Sequence, residues 1–328
     1  MLESMNAVPV RRLLASVLIS CSLIACSDDD DKEERDEGRD LYVFGDSLSD
    51  TGNLGEFLTL NDDLPDPFYE NRISNGPVIV DYVGQALGEP VEPAEYVEPG
   101  EDGTNYAVSG SKANDPDPNL TLKNQIDFFL GNNNDVVDPK DLFIIFIGGN
   151  DINSVVGQEG ATAMAALDLA VEEVGAAVED IATRGGREFF VLTVPDIGKT
   201  PDVLAAEAQT PGRAANATML TQYYNQALRD NLVVVSDRLN ATGVPGVRIN
   251  VIDTFAIFND KIARAGELGL TNTTDACYII ADFTYQPPCN ESLLPNYAFF
   301  DKIHPSGRMH ELVGTEVAAE IQAVLNAQ

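Results

Sequence analysis

Four short apolar segments, separated by amphipathic helical patterns, constrain the fold of this chain more than any other feature. The segments are residues 41–44, 142–147, 189–194 and 247–252. Because apolar residues dominate these segments, we interpret each as a strand of a parallel sheet that is buried on both faces. Apolar residues at helical spacing in 167–181 and 220–239 indicate helices that cover the sheet. The pattern predicts an α/β fold, a three-layer α/β/α sandwich around a mainly parallel sheet.

The first 25 residues differ from the rest of the chain and predict export. Arg11 and Arg12 precede an apolar stretch, residues 13–25, which has the length of a signal-peptide core and is short for a membrane span. We therefore predict that residues 1–25 form a signal peptide. Its last residues and Cys26 read Leu-Ile-Ala-Cys, which resembles a bacterial lipobox. That resemblance implies a lipid anchor on Cys26 and a membrane as partner, and cleavage to a soluble secreted protein is the alternative.

Residues 26–40 are predicted to be the lipidated cysteine and an acidic tether. Ser27 and the residues up to Asp40 include no apolar side chain, so this stretch has nothing to bury and should stay solvated. No later linker is long enough to split the remainder, and residues 41–328 are predicted to form a single domain. The expected location is the outer membrane or the periplasm.

The charge of the chain excludes one class of function. The chain has 53 acidic and 20 basic residues and a formal net charge of −33. Nucleic-acid binding requires a basic surface, so the composition excludes that class of function. Most of the acidity, 43 acidic against 15 basic residues, lies in residues 41–328. With only 7 lysines, this balance suggests a protein adapted to salt, where counterions screen the self-repulsion.

Histidines and cysteines are few. With only His304 and His310, a three-histidine zinc site is impossible, and any imidazole base must be one of these two. Cys277 and Cys289 are the only cysteines beyond Cys26, in an exported context that permits disulfides. A bridge between them would contribute about 3 kcal/mol by loop entropy. The alternative, a catalytic thiol, is weaker because a better candidate nucleophile exists.

Four separated segments carry the residue types of an acyl-transfer site. Ser47 follows the first predicted strand in a turn that can present its hydroxyl. Gly110 can bring a backbone N–H close to a substrate, and the amide of Asn150, after the second strand, can donate to an oxyanion. Asp301 precedes His304 by three residues, so its carboxylate can fold back on the imidazole. Each feature alone has a structural alternative, such as a helix cap or a turn glycine.

Together and in this order, the four segments resemble the GDSL, or SGNH, hydrolase family of esterases and lipases. The run Gly45-Asp46-Ser47-Leu48 carries the motif from which the first name derives. The resemblance implies a flavodoxin-like sandwich and a set of roles: Ser47 as nucleophile, the Ser47 N–H, Gly110 and Asn150 as oxyanion donors, and Asp301 with His304 as the base system. His310 is then expected to be a surface or helix residue without a catalytic role.

Three stretches are similar to one bacterial branch of that family, which includes lecithinases, hemolysins and outer-membrane esterases. They are residues 44–53, 72–77 and 300–305. Asp50 and Asp151 are polar neighbours of the site, and we expect them to tie loops down by hydrogen bonds rather than to act in catalysis.

The resemblance implies a serine ester hydrolase that cleaves carboxylic acyl esters, of small molecules or lipids, through an acyl-enzyme on Ser47. No metal or organic cofactor is needed for that chemistry. The alternatives are acyl transfer to a sterol or sugar, removal of acetyl groups from a polysaccharide, and a non-catalytic lipoprotein scaffold. Five aromatic residues near the last segment either line an acyl pocket or pack in the core: Phe283, Tyr285, Tyr297, Phe299 and Phe300. The sequence leaves the oligomeric state open.

Overall fold

The computed structural model describes residues 38–54, 64–94, 103–117 and 121–328. The predicted signal peptide, Cys26 and all but the last three residues of the predicted tether lie outside these ranges. Within these ranges, none of the helices combines the length and the apolar character that crossing a membrane requires.

A four-stranded parallel sheet forms the centre of the molecule. Its strands lie in sequence order: β1 (Leu41–Gly45), β2 (Leu142–Phe146), β3 (Glu188–Leu192) and β4 (Arg248–Ile252). The predicted parallel sheet is confirmed, with strand ends that differ by one or two residues. The prediction that all four strands are buried on both faces is wrong for β4, which has a single neighbour in the sheet and is mostly half-buried.

A further extended segment, residues 103–108, runs parallel to β1 along its other edge. The N–H of Val43 donates to the carbonyl of Thr104 over 3.0 Å, and the N–H of Tyr106 donates back to the carbonyl of Val43 over 2.8 Å. Val108 then donates to Gly45 over 3.2 Å. The apolar pattern of the sequence did not predict this segment. It brings the loop that contains Gly110 to the carboxyl end of β1.

Helices cover both faces of the sheet, and in the described ranges they are α1 (Ile79–Leu87), α2 (Leu122–Asn132), α3 (Gly149–Val155), α4 (Gly160–Thr183), α5 (Pro201–Glu207), α6 (Arg213–Ala241), α7 (Thr254–Ala263) and α8 (Gly307–Asn326). Successive strand residues point to opposite faces. Phe44 and Phe143 therefore pack with α2, α4 and α6, and Val43 and Ile144 pack with α1, α7 and α8. The predicted three-layer sandwich is confirmed.

A smaller apolar unit lies between α7 and α8. It includes the short strands β5 (Asn272–Ala276), β6 (Tyr278–Ile279), β7 (Thr284–Tyr285) and β8 (Tyr297–Phe299). A disulfide joins Cys277 to Cys289, with 5.2 Å between the Cα atoms. Residues 277–289 are called the disulfide loop below. Both cysteines belong to a set of buried side chains called the aromatic cluster: Phe68, Ile73, Cys277, Tyr278, Cys289, Leu294, Tyr297 and Phe300.

The aromatic residues near the last segment have different environments. Tyr297, Phe299 and Phe300 are buried, so core packing is the correct alternative for these three. Tyr285 is half-buried, and Phe283 is exposed to solvent.

Candidate active site

The end of β1 fixes the position of the turn that contains Ser47. A Cβ atom on Gly45 would lie 2.2 Å from the carbonyl oxygen of Phe146, so only glycine allows β1 to lie this close to β2 here. The side-chain amide of Gln125 pairs with both backbone groups of Gly45: it accepts from the N–H and donates to the carbonyl, each over 2.8 Å. Gly45, the residue from which the turn starts, is therefore held in position by Gln125 and by β2.

Three side chains from the two ends of the chain form a continuous hydrogen-bonded line. Nε2 of His304 lies 2.9 Å from Oγ of Ser47, and Nδ1 of His304 lies 2.8 Å from Oδ2 of Asp301. A carboxylate beside Nδ1 favours the tautomer that has its proton on that nitrogen, which leaves Nε2 able to accept the serine proton. The arrangement can therefore activate the Ser47 hydroxyl for attack on an electrophile.

The backbone after Asp301 holds its carboxylate in place. Oδ1 accepts hydrogen bonds from the N–H groups of Ile303 over 2.7 Å and His304 over 2.6 Å, and Oδ2 remains for the imidazole. The three-residue spacing noted in the sequence therefore corresponds to a tight turn closed by its own carboxylate. Asp301 is buried.

The opposite charges of Asp301 and His304 shift the pKa values of both side chains. Burial alone would raise the pKa of Asp301, but the charge of His304 and the hydrogen bonds from His304 and Ile303 outweigh it and lower that pKa. Burial likewise acts to lower the pKa of His304, and the negative charge and hydrogen bond of Asp301, together with the charge of Asp46, raise it. Asp301 and Asp46 thus favour the protonated form of His304, the imidazolium.

Asp46 is a site residue to which the sequence assigned no role. It is buried beside Ser47, and its Oδ1 accepts a hydrogen bond from the N–H of Leu48 over 3.1 Å. Burial raises the pKa of Asp46 to about 7, and the charges of Asp151 and Asp50 act in the same direction. Its position within the four-residue motif gave no sign of this, because the shift comes mainly from burial, which depends on how distant elements pack.

The backbone N–H groups of Gly110 and Ser47 are the candidate backbone donors of the site. Gly110 has a φ of +88°, a conformation that glycine adopts readily, and no described atom lies within 4 Å of the position of a Cβ there. The glycine is therefore required for its backbone conformation and not for space. Among the described residues, none accepts a hydrogen bond from the N–H of Gly110 or of Ser47.

Asn150 lies in the first turn of α3, directly after β2. Its Nδ2 donates one hydrogen bond to the carbonyl of Ser111 over 2.8 Å, which ties α3 to the loop of Gly110. A side-chain amide has two N–H groups, so one remains to donate to a bound substrate. The structure therefore places the loop of Gly110 and the Asn150 amide in direct contact.

Two buried aspartates join the loops of the site, as the sequence analysis expected. Oδ1 of Asp50 accepts from the N–H groups of Gly52 and Asn53, and Oδ2 accepts from Ser109 over 2.7 Å, one residue before Gly110. Asp151 accepts from the N–H groups of Ala113 over 2.9 Å and Asn114 over 3.1 Å. The prediction that both carboxylates tie loops down is confirmed.

Two asparagines, which sequence reasoning missed, join the same loops. Nδ2 of Asn53 donates to the carbonyls of Asn105 and Ala107, each over 2.8 Å. Nδ2 of Asn105 donates in the opposite direction, to the carbonyl of Ser49 over 2.6 Å. Side-chain amides therefore join the loop that contains Ser47 to the loop that contains Gly110.

The segment at 72–77 supports the turn after His304. Oδ1 of Asn75 accepts a hydrogen bond from the N–H of Gly307 over 2.9 Å, at the first residue of α8. Gly76 packs so closely that a Cβ on it would lie 3.1 Å from the Cα of Gly307. Arg72 forms a two-pronged ion pair with Asp81 over 2.8 and 2.9 Å. The segment therefore fixes the start of α8, three residues beyond the imidazole.

Comparison with known proteins agrees with this architecture. The family model described as GDSL-like Lipase/Acylhydrolase matches residues 41–317. The chain belongs to this GDSL-like family. It is therefore an acyl hydrolase of the esterase and lipase type, and the resemblance seen in the sequence is confirmed at the level of the family.

Individual relatives of this GDSL-family chain are distant. It is 26% identical over 304 residues to a phosphatidylcholine-sterol acyltransferase of Aeromonas hydrophila, which covers 88% of this chain and 82% of the relative. It is 26% identical over 301 residues to a GDSL lipase of Tanacetum cinerariifolium, with 81% and 80% covered. A solved acetylxylan esterase from Geobacillus stearothermophilus matches 86% of this chain and 93% of its own, with 17% identity and a TM-score of 0.44.

His310 is in α8, so of the two alternatives expected from the sequence the helix is correct and the surface is not. Only 1% of it is exposed, because it lies on the buried face of α8. Burial lowers the pKa of His310 to about 3, so the ring is neutral. No described protein atom hydrogen-bonds to either ring nitrogen. Of the two histidines, only His304 contacts Ser47.

The described ranges hold no group of three or more His, Cys, Asp or Glu side chains arranged to bind a metal ion.

Proposed function

We propose that this GDSL-family protein hydrolyses carboxylic acyl esters through an acyl-enzyme on Ser47, with His304 as general base and Asp301 as its partner. The observation that supports this most strongly is the unbroken line from Oγ of Ser47 through both nitrogens of His304 to Asp301, at 2.9 and 2.8 Å. The spacing is within the range over which a base can remove the proton of a nucleophile.

The proposed reaction has two steps. Oγ of Ser47 bonds to the ester carbonyl carbon as its proton moves to Nε2 of His304. The tetrahedral intermediate collapses when the bond to the alcohol oxygen breaks, and His304 returns the proton to the departing alkoxide. A water molecule then loses a proton to His304 and attacks the acyl-enzyme, and Ser47 regains its proton as the carboxylic acid leaves.

Three donors are proposed to hold the oxyanion: the N–H groups of Ser47 and Gly110 and the free N–H of Asn150. The backbone donors have no described partner, and the Asn150 amide is oriented by its bond to Ser111. Donors that are already fixed in position stabilise developing charge without reorganisation, so they lower the barrier more than they strengthen substrate binding.

Replacing Asn150 by aspartate tests the side-chain donor. Asn150→Asp keeps the shape, cannot donate and adds a negative charge beside the developing oxyanion, so kcat is expected to fall by roughly 10²- to 10³-fold or more with a small change in KM. Asn153→Ala, on the same helix and also half-buried, is the control and should retain kcat within a few-fold. Steady-state kinetics on a p-nitrophenyl ester measure both. An unchanged kcat in Asn150→Asp would remove Asn150 from the oxyanion hole.

The pH profile tests the electrostatic role of Asp46. A base must be neutral, so kcat/KM falls as pH drops through the raised pKa of His304. The charge of Asp46 is one cause of that rise, so Asp46→Asn is expected to move the acidic limb to lower pH. Asp127→Asn, an exposed aspartate on α2, should leave the limb in place. A limb that stays fixed or moves to higher pH in Asp46→Asn would contradict the proposed coupling.

Acyl transfer to an alcohol is a second candidate activity, because one relative is named a phosphatidylcholine-sterol acyltransferase. Both activities share the acyl-enzyme and differ in whether water or an alcohol attacks it. Rapid mixing with a p-nitrophenyl ester should give a burst of nitrophenol near one equivalent per chain. Product analysis with and without a sterol or a sugar then separates ester formation from hydrolysis. Absence of turnover on every ester would favour the non-catalytic scaffold.

The N-terminal region is part of the proposal. We propose that residues 1–25 direct export and that Cys26 carries the lipid anchor, on the basis of the lipobox-like Leu-Ile-Ala-Cys run. The wild-type protein is then expected to partition with the membrane fraction, and Cys26→Ser with the soluble exported fraction. Equal partitioning of the two proteins would contradict lipidation at Cys26.

A further inference from the structure

One large aromatic side chain near the active site is exposed. Phe283 is at the tip of the disulfide loop and is 52% exposed. Its φ is +51°, a left-handed conformation that bulky residues rarely adopt. The strands β6 and β7 pair on either side of the tip, with Ile279 opposite Thr284, and the disulfide closes the loop. The ring is therefore held out from the surface by a constrained backbone.

The exposed ring is connected to the active site through aromatic contacts. The centroid of the Phe283 ring lies 6.1 Å from that of Phe68, and the Phe68 ring lies 5.3 Å from that of Phe300. Phe300 immediately precedes Asp301. Tyr69 and Leu293, which adjoin Phe68 and Leu294 of the aromatic cluster in sequence, are each 37% exposed. Through Phe68 and Phe300, the aromatic cluster joins the exposed Phe283 ring to the turn that carries Asp301 and His304.

Acidic residues outnumber basic ones in the segment around Phe283. Between Arg264 and Lys302 the sequence contains no basic residue, and it contains four acidic residues before Asp301: Glu267, Asp275, Asp282 and Glu291. Among the described residues nearby, Arg72 stacks over the Tyr69 ring and is paired with Asp81 and Glu70, and Lys302 is paired with Asp202. Because these cations are paired with carboxylates, the segment has a net negative charge that repels anionic surfaces, so the exposed ring suits an uncharged or zwitterionic partner.

We infer that the exposed ring of Phe283 inserts into a zwitterionic lipid surface and brings the active site to acyl esters held there. The inference rests on the proposed function, since it supplies a lipid substrate to that same site. A few apolar side chains are too small an area for a stable protein partner, which requires about 800 Å² on each side. Aromatic rings are well suited to the boundary between headgroups and acyl chains.

The test compares Phe283→Ser with Leu169→Ser, a matched control. Leu169 is also 52% exposed, but it lies on α4, away from the aromatic cluster. Each exported protein carries Cys26→Ser as well, so that a lipid anchor cannot mask the effect. Two measurements are made on each protein: sedimentation with phosphatidylcholine vesicles, and kcat/KM on p-nitrophenyl butyrate in solution and on an ester dispersed in those vesicles.

Phe283→Ser is expected to lower vesicle binding and kcat/KM on the dispersed ester by about 5- to 10-fold. Its kcat/KM on the dissolved ester should stay within about 2-fold, and Leu169→Ser should match the parent in all assays. Phe283→Leu, which keeps an apolar side chain, should restore most of the binding. Adding phosphatidylglycerol to the vesicles should weaken binding of the parent.

Undiminished vesicle binding by Phe283→Ser would overturn the inference, and so would stronger binding of the parent to the phosphatidylglycerol vesicles. If Phe283→Ser loses activity on the dissolved ester, its fold or site is damaged, and Phe283→Leu is used in its place. If Phe283→Leu has normal activity on the dissolved ester but does not restore vesicle binding, the inference is overturned. If no protein in the set hydrolyses the dissolved ester, the proposed function fails, and vesicle sedimentation alone still decides whether Phe283 contacts lipid.

Discussion

Ser47→Ala is expected to lower kcat on a p-nitrophenyl ester by on the order of 10⁴- to 10⁶-fold, because the acyl-enzyme cannot form without Oγ. The change removes one oxygen from a side chain whose only described hydrogen-bond partner is Nε2 of His304. The fold should therefore persist, and the melting temperature should change little. Residual turnover would come from substrate binding and the oxyanion donors.

A serine two residues further along the same turn supplies the control for this prediction. Ser49 is fully buried, and its hydroxyl has no described hydrogen-bond partner. Ser49→Ala should therefore keep kcat within a few-fold. Ser47→Ala activity close to that of the parent, with Ser49→Ala equally active, would mean that a different group attacks the ester.

His304→Ala is expected to have an effect of similar size, on the order of 10⁴-fold or more in kcat, because no other imidazole contacts Ser47. The loss should be partly reversed by added imidazole, which can enter the vacated space and accept the serine proton. Rescue of this kind separates the loss of a base from damage to the fold. The measurement is kcat against imidazole concentration at a pH above 7, where added imidazole is neutral.

The second histidine provides the matched comparison. His310 is neutral and buried in the first turns of α8, and neither of its ring nitrogens forms a described hydrogen bond. His310→Gln can lower stability because it changes a packed side chain, but the kcat of the folded fraction should remain near that of the parent. The account of the base would be contradicted if His310→Gln lost activity that imidazole restores while His304→Ala did not.

The sequence predicted the sheet, and it singled out the three side chains that the structure joins in the line from Ser47 to Asp301, because both leave local patterns. Buried parallel strands produce continuous apolar runs, and β1, β2 and β3 lie close to where those runs predicted them. The partial exposure of β4 also left a pattern, because Arg248 and Asn250 interrupt its apolar residues at alternate positions. Such alternation is typical of a strand that is not buried on both faces.

The support of the site was not predictable, because it consists of side chains that bond to backbone groups far away in sequence. Gln125 pairs with Gly45 across 80 residues, and Asn53 reaches the carbonyl of Ala107 across 54. The raised pKa of Asp46 and the burial of His310 likewise depend on packing between distant elements. The local spacing of residues does not predict these contacts. A polar residue that lies in or beside a motif and has no evident role is nevertheless a reason to expect such a contact.

Labelling with a fluorophosphonate tests the central claim, that Ser47 is the nucleophile, most directly. Such a reagent phosphonylates an activated serine and releases fluoride. The account predicts one adduct per chain, located on Ser47 by peptide mass spectrometry, and loss of ester hydrolysis in proportion to labelling. Prior occupation of the site by an ester substrate should slow both. Full inactivation with the adduct on another residue, or full activity with Ser47 labelled, would contradict the account.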